Sequence, residues 1–124
     1  MGKFSALEDI IVLSEAVSLA EKVYKTIRKS RSFSCDFGLR DQMQRSSISI
    51  SSNIAEGYER ESNLEFIRYL YIAKGSCGEL RTQLLIASRL DYLKDQDYII
   101  IKNECMKISG MIMNLIKSLK IVKK

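Results

Sequence analysis

The sequence of 124 residues contains no proline, no tryptophan and no histidine, and only six glycines. Because proline breaks helices by removing a backbone N–H, its absence favours long uninterrupted helices. The absence of histidine removes the commonest general base, metal ligand and pH switch of proteins. These gaps disfavour an acid–base enzyme and a histidine-ligated metal site, and we predict no enzymatic activity, metal or cofactor.

Cysteine is also scarce, with Cys35, Cys77 and Cys105 far apart in the chain. An odd number of widely spaced cysteines argues against a disulfide framework and against a zinc site. Unpaired cysteines favour a reducing compartment, so we expect a cytoplasmic protein. Cys77 and Cys105 fall at apolar positions of predicted helices and are expected to be core thiols, whereas Cys35 is expected to be exposed.

Long apolar runs are missing as well. No segment approaches the roughly 20 apolar residues that a membrane-spanning helix needs. The N-terminal segment carries Glu8 and Asp9 within its apolar stretch, which is unlike a secretory signal peptide. We therefore expect a soluble protein without membrane contact.

What is present is helical periodicity, with apolar residues recurring every three or four positions in four segments. The predicted helices cover Asp9–Lys29, Gly38–Glu59, about Ser62 to Leu90, and a last segment from Asp95. Asp36 and Ser62 are the predicted N-caps of the second and third helices, and residues 31–38 are predicted to form a loop. Short connections favour a single domain over residues 1–124, an all-α, up-down-up-down antiparallel four-helix bundle.

The apolar seams are predicted to fill the core. The first helix has the seam Ile10, Leu13, Val17, Ala20, Tyr24 and Ile27, the third Phe66, Leu70, Ala73, Cys77, Leu80, Leu84 and Ala87, and the fourth Tyr98, Ile101, Cys105, Ile108, Ile112, Leu115 and Leu119. Gly75 and Gly78 lie inside the third helix, where each costs about 1 kcal/mol relative to alanine. We expect them to allow close approach of the serine-rich middle of the second helix.

A polar stripe runs along one face of the second helix at spacings of three and four residues. Its members are Gln42, Arg45, Ser49, Asn53, Glu56 and Arg60. Two ion pairs are expected on this helix, Asp41–Arg45 and Glu56–Arg60. Exposed pairs of this kind contribute only about 0.3–0.5 kcal/mol each. So regular a stripe therefore favours a partly buried polar seam at an assembly interface, where such networks fix register and partner choice.

Two other interpretations of the polar stripe stay open. In a nucleic-acid site, Arg45 and Arg60 would contact phosphates, and Gln42 and Asn53 would contact bases or sugars. Glu56 opposes that arrangement because it would repel phosphates. In a catalytic or metal site, Glu56 would act with Glu79 of the next helix, but no Glu-x-x-His motif or phosphate-binding loop accompanies them.

Basic residues exceed acidic ones, giving a formal net charge of +5 and a pI near 9.2. The excess is concentrated in two clusters at predicted helix ends, Lys22, Lys25, Arg28, Lys29 and Arg31 in the first and Lys117, Lys120, Lys123 and Lys124 in the second. These clusters are candidate phosphate contacts for RNA or DNA. They are equally explained as cations that favour the C-terminal ends of helix dipoles.

Two segments carry a family resemblance. S-I-S-S-N-I-A-E-G-Y-E-R (Ser49–Arg60) and F-I-R-Y-L-Y-I-A-K-G-S-C-G-E-L (Phe66–Leu80) resemble the four-helix-bundle family of 23S rRNA intervening-sequence proteins, also labelled S23 ribosomal proteins. The family pattern is matched at Gln42, Arg45, Ser49, Asn53, Glu56, Gly57, Arg60, Gly75, Ser76 and Glu79. Leu13 stands where the family often has tryptophan, and Ser34 and Ser51 stand where proline is frequent.

The resemblance implies an all-helical homopentamer that surrounds a central channel and has no enzymatic activity. It also implies kinship with accessory proteins of diversity-generating retroelements, which bind nucleic acid and a reverse transcriptase. We therefore predict a non-enzymatic scaffold that binds itself and RNA or DNA. The alternative is an accessory protein to a nucleic-acid enzyme, such as a reverse transcriptase, without direct contact to nucleic acid.

Overall fold

The computed structural model describes the backbone of residues 6–122 and the side chains of residues 10–121. Within that range the chain forms five helices and no strand, in the order α1 (Ala6–Arg28), α2 (Arg31–Cys35), α3 (Phe37–Tyr58), α4 (Asn63–Arg89) and α5 (Asp95–Val122). The predicted all-helical class is confirmed. The predicted N-caps are also present, since the Asp36 and Ser62 side chains accept hydrogen bonds from the backbone N–H groups of Leu39 and Glu65.

The short helix α2 lies in the segment predicted to be a loop. Ser30 is its N-cap, and the Ser30 hydroxyl accepts a hydrogen bond from the backbone N–H of Phe33 at 3.2 Å. A helix of five residues is too short to display helical periodicity, which explains why the sequence pattern did not reveal it. The buried Phe33 ring anchors α2 to the core.

The four long helices pack side by side. α3 contacts α1 and α4, and α5 contacts the same two helices, so α1 and α4 lie diagonally opposite each other. The predicted seam of α4 is entirely buried, and so is that of α5 apart from the half-buried Tyr98. The predictions for these two helices are confirmed at the core.

The cysteines are free and distributed as predicted, with Cys35 exposed and the other two buried. Burial raises the pKa of the Cys77 thiol to about 11 and that of Cys105 to about 12. A buried thiol resists ionisation because the thiolate loses its hydration. These two side chains are therefore neutral core residues at neutral pH.

The predicted seam of α1 is largely wrong. The buried stripe is Val12, Ala16, Leu19, Val23 and Ile27. Of the predicted seam only Ile27 belongs to it, whereas Ile10 and Val17 are exposed. α1 carries two apolar stripes about 60–120° apart, and periodicity alone does not tell which one faces the core. The other stripe, which includes Ile10 and Val17, lies along the boundary of α1 with α3.

A row of three ion pairs joins α1 to α5. Lys107 pairs with Glu15 at 3.4 Å, Lys22 pairs with Glu104, and Lys29 pairs with Asp97 at 3.3 Å. The members on the α1 side are spaced by seven residues, at Glu15, Lys22 and Lys29, the last of which directly follows the end of α1. Seven residues is the repeat at which charged side chains flank a helix–helix seam. Residue numbers rise along α1 while they fall along α5, which fixes the register of the two helices.

The α4–α5 connection is shaped by a helix cap. The backbone N–H of Tyr92 donates to the carbonyl of Ala87, and Asp91 between them has a φ of 61°. This is a Schellman arrangement, with aspartate in the left-handed position that it tolerates better than most residues. The Tyr92 ring then stacks on Phe33 at 5.3 Å, and its hydroxyl donates to Asp36 at 2.8 Å. The connection is thereby tied to α2.

The glycine prediction is wrong. A Cβ at Gly75 or Gly78 would meet no atom within 4 Å, and both positions are exposed on α4. The close approach occurs at Gly57 instead, where a Cβ would lie 2.7 Å from Tyr69 Cβ and 2.9 Å from Phe66 Cδ1. Glycine at position 57 is thus required for the end of α3 to pack on the start of α4.

Candidate functional site: the polar groove between α3 and α4

The polar stripe of α3 lies along its boundary with α4. Here the two helices border a groove with a volume of about 340 Å³, lined by Gln42, Arg45, Ser46, Ser49, Glu79 and Gln83. We call these six residues the polar groove. Small serine side chains on α3 bring the two helix axes close together, so α3 and α4 form the most extensive helix–helix contact of the fold.

The first part of the polar groove is a hydrogen-bonded chain of three side chains. The buried Ser46 hydroxyl donates to Gln83 Oε1 at 2.7 Å, and Gln83 Nε2 donates to Gln42 Oε1 at 3.4 Å. Gln83 is itself buried, so this bond satisfies a carbonyl that would otherwise be costly to remove from water. The chain fixes the rotation of α4 relative to α3.

The middle of the stripe forms a second hydrogen-bonded group. The Ser49 and Ser76 hydroxyl oxygens are 2.9 Å apart across the helix boundary. Asn53 Nδ2 donates to the Ser49 carbonyl at 2.8 Å and to its hydroxyl at 3.0 Å. Ser76 is therefore where the serine-rich middle of α3 meets α4. The contact that we predicted for Gly75 and Gly78 is made by this serine between them.

The end of the stripe is a cationic cluster around Tyr69. Arg60 Nη2 donates to Glu56 Oε2 at 2.9 Å and to the Tyr69 hydroxyl at 2.7 Å. The nearby Tyr69 and then Glu56 raise the pKa of Arg60 above its usual value, so this guanidinium stays charged. The predicted Glu56–Arg60 pair is confirmed, but the Asp41–Arg45 pair is wrong because Asp41 pairs with Arg40 at 2.9 Å.

Two charged residues of the polar groove have no internal ion-pair partner. Arg45 and Glu79 are exposed, and no ion pair within the described side chains includes either of them. Among these side chains, no group of three cysteines or carboxylates is close enough together to hold a metal ion. The polar groove thus offers one free cation, one free anion and a row of satisfied hydroxyl and amide groups.

The two basic clusters lie at opposite ends of the molecule. Lys29 contacts Asp97 near the start of α5, whereas Lys120 contacts Tyr71 from the end of α5. These α5 positions are separated by about 35 Å at 1.5 Å per residue. In the first cluster Lys22 and Lys29 are engaged with carboxylates, whereas Lys25, Arg28 and Arg31 are exposed. Lys123 and Lys124 of the second cluster lie outside the described residues.

The sequence analysis did not identify the buried residues of the polar groove, Ser46 and Gln83, as site residues. Ser46 and Gln83 complete the polar groove, yet neither belongs to the periodic polar face of its helix as seen in the sequence. One signal was available, since Ser76 and Gln83 are seven residues apart and share a face of α4.

Across the part of the chain that the structure describes, no helix is both long and apolar enough to cross a membrane.

Comparison with known proteins places this fold in a family. No curated protein matches the sequence. The fold is similar to the crystal structure of a protein of unknown function from the S23 ribosomal protein family of Bacteroides thetaiotaomicron VPI-5482, with a TM-score of 0.82 and 25% identity over 89% of this chain and 98% of that one. The family model of the 23S rRNA-intervening sequence protein matches residues 8–114. The chain therefore belongs to the 23S rRNA-intervening sequence protein family.

Proposed function

We propose that this protein is a non-enzymatic, up-down-up-down antiparallel four-helix bundle that assembles into a ring-shaped homo-oligomer, a pentamer by family resemblance. Its work is scaffolding, with RNA or DNA as the preferred partner. The observation that carries the proposal is an apolar surface on α1 and α3 that the single chain leaves uncovered. The α1–α5 register and the diagonal positions of α1 and α4 support the bundle topology.

The uncovered surface is the groove formed by the second apolar stripe of α1 and the adjoining face of α3. Its side chains are exposed in the single chain, with exposed fractions of 63% for Ile10, 46% for Val17, 43% for Ile48 and 37% for Tyr58. Two adjacent cavities of about 240 and 460 Å³ follow the same boundary. We call this surface the apolar groove. A contiguous exposed apolar surface is typical of a protein–protein interface.

A second surface of different character lies on the α4 side. Ile72, Glu79 and Ile86 are spaced by seven residues along α4, all three are exposed, and they adjoin the polar groove. The unpaired Arg45 and Glu79 supply charges that a partner's side chains can satisfy. This surface combines apolar anchors with register-setting polar groups, as interfaces do.

Two different surfaces on different sides of one molecule favour a head-to-tail assembly. A heterologous contact of this kind closes into a ring when the rotation between subunits allows it. In the proposed ring, the apolar groove of one subunit receives the α4 side of its neighbour. The lack of histidine supports the absence of acid–base catalysis from this role.

The assembly can be tested by paired variants on α1. Val17→Glu places a charge in the apolar groove and is expected to reduce the mass measured by light scattering towards that of the monomer, since burying an unpaired carboxylate is costly. Ser14→Glu adds the same charge one turn earlier at an exposed position outside the groove and is the matched control. Equal masses for both variants and the unaltered protein would count against this interface.

Arg45→Ala tests the second surface. Loss of the guanidinium is expected to remove a charge that the neighbouring subunit satisfies, and so to weaken the assembly. Double truncation of Arg45 and Glu79 is expected to be milder than the sum of the single changes if the two residues act together. An unchanged mass on dilution and an unchanged melting temperature would place the interface elsewhere.

The nucleic-acid part of the proposal rests on the family and on the excess of basic residues. Affinity for RNA or DNA is expected to fall steeply with salt if several phosphates are neutralised. If neither binds at low salt, the alternative role as a protein scaffold or accessory to a nucleic-acid enzyme is the one that stands.

A further inference from the structure

The outer boundary between α4 and α5 carries five cations drawn from two distant parts of the sequence. They are Lys74 and Arg81 on α4 and Lys102, Lys117 and Lys120 on α5. We call this surface the basic face. Only Lys117 and Lys120 belong to a cluster visible in the sequence. The other three appear isolated there and come together only when α4 packs on α5.

Contacts across the helix boundary locate these residues. Lys120 Nζ donates to the Tyr71 hydroxyl of α4 at 3.2 Å and lies over the Tyr71 ring. Lys102 precedes Lys120 by five helical turns, so it projects from the same side of α5. On α4, Arg81 is near enough to affect the pKa of Cys105 in α5, and Lys74 lies two turns before Arg81.

The basic face is not neutralised by neighbouring carboxylates. Among the side chains of residues 10–121, no ion pair includes any of its five cations. Most acidic residues of the same helices are used elsewhere: Glu65 pairs with Arg68, Glu79 lines the polar groove, and Glu104 and Asp97 pair with Lys22 and Lys29. Asp95, in the first turn of α5, is the carboxylate on the side of Lys102, two turns before it. α5 thus presents two carboxylates and Lys107 to the α1 side, and Lys102, Lys117 and Lys120 on its α4 side.

We infer that the basic face binds the phosphate backbone of single-stranded RNA or DNA, an inference that rests on the nucleic-acid part of the proposed function. Lys102 and Lys120 are about 27 Å apart along α5. Single-stranded nucleic acid is bound by grooves that combine cations with aromatic rings on which bases stack. Tyr71 and Tyr98 supply such rings here, each with a lysine ammonium group over its face at 5.5 and 5.8 Å.

The test compares two double variants that remove the same charge. Lys74→Ala with Arg81→Ala removes two cations from the basic face. Lys25→Ala with Arg28→Ala removes two cations without ion-pair partners from the end of α1. Both residues border the larger cavity of the apolar groove, so this variant is compared only if its mass by light scattering equals that of the unaltered protein. Lys117→Ala with Lys120→Ala provides a second variant of the basic face. All six positions are helical, so alanine preserves helix propensity, and circular dichroism and light scattering check the fold and assembly of each protein.

Binding is measured by fluorescence anisotropy with oligouridylate and oligodeoxythymidylate probes of about 16 nucleotides, the upper range of known site sizes. Each variant of the basic face is expected to bind about tenfold more weakly. Each is also expected to lower the slope of log affinity against log salt by about 1.4, since roughly 0.7 is lost per phosphate contact on a single strand. The α1 variant is expected to change affinity less than about threefold because Lys25 lies at the boundary of α1 with α5 and not at the boundary of α4 with α5.

Three results would overturn the inference. If the unaltered protein binds the probes and the variants of the basic face bind equally well, the site lies elsewhere while the proposed nucleic-acid function stands. If the unaltered protein binds neither probe at low salt, the inference is overturned, and binding of a duplex of the same length then decides the proposed nucleic-acid function. If it binds phosphatidylglycerol vesicles but not the probes, the cations recognise a lipid surface instead.

Discussion

Gly57 is the residue at which the end of α3 comes into direct contact with the start of α4. A Cβ at this position would overlap with Tyr69 and Phe66. The nearby Arg60 depends on the same local geometry to donate both to Glu56 and to the Tyr69 hydroxyl. The exposed Gly78 has no such neighbour. The packing of α3 on α4 therefore requires glycine at position 57, whereas no packing contact requires glycine at position 78.

Substitution of these glycines by alanine is expected to have opposite effects on stability. Gly57→Ala should lower the free energy of unfolding by about 1–3 kcal/mol, the usual cost of overpacking a filled site. Gly78→Ala should raise it by up to about 1 kcal/mol through helix propensity alone. Chemical denaturation followed by circular dichroism measures both. A neutral Gly57→Ala variant would show that α3 and α4 can separate there without penalty.

At the scale of elements, α1 and α4 show how far periodicity predicts packing. α4 has a continuous apolar seam along its whole length, and every residue predicted from that seam is buried. α1 has two such stripes, and only the contacts with α3 and α5 decide that Val12 and Leu19 face the core while Ile10 and Val17 do not. The wrong prediction for α1 therefore marks the apolar groove, a surface that the monomer does not use.

The polar groove shows the same division between what a sequence specifies and what it does not. Spacing identified the α3 stripe because all its members lie on one helix. The spacing of its partners Ser76 and Gln83 puts them on one face of α4, but only the rotation of α4 shows that this face meets the stripe. The basic face follows only from the pairing of α4 with α5. Periodicity within one helix does not predict which residues meet when helices that are distant in sequence pack together.

The hydrogen bond that joins α3 to α4 in the groove is expected to contribute measurably to stability. Ser46→Ala removes the donor and leaves the buried Gln83 carbonyl unsatisfied, so the free energy of unfolding should fall by about 1–3 kcal/mol. Ser51→Ala is the matched control, because the Ser51 hydroxyl donates only to the Ile48 carbonyl of its own helix at 3.0 Å. Equal stabilities for the two variants would show that the Ser46–Gln83 hydrogen bond does not contribute to the stability of the fold.

At the scale of the whole molecule, the fold distributes three kinds of surface among its helices. α1 and α3 present the apolar groove, α3 and α4 the polar groove, and α4 and α5 the basic face, whereas α1 and α5 are joined by ion pairs. In a head-to-tail ring the first two surfaces would meet, leaving the basic face available to a nucleic acid. The proposed assembly and the proposed binding site therefore use different residues and can be separated by mutation.

The mass of the unaltered protein in solution tests the central claim most directly. Size exclusion with multi-angle light scattering, at protein concentrations in the micromolar range, is expected to give five times the 14.2 kDa of the chain. A mass equal to another small whole number of chains would support a ring with a different number of subunits. A mass of 14.2 kDa at every concentration would contradict the account, because the apolar groove would then be exposed in the functional protein.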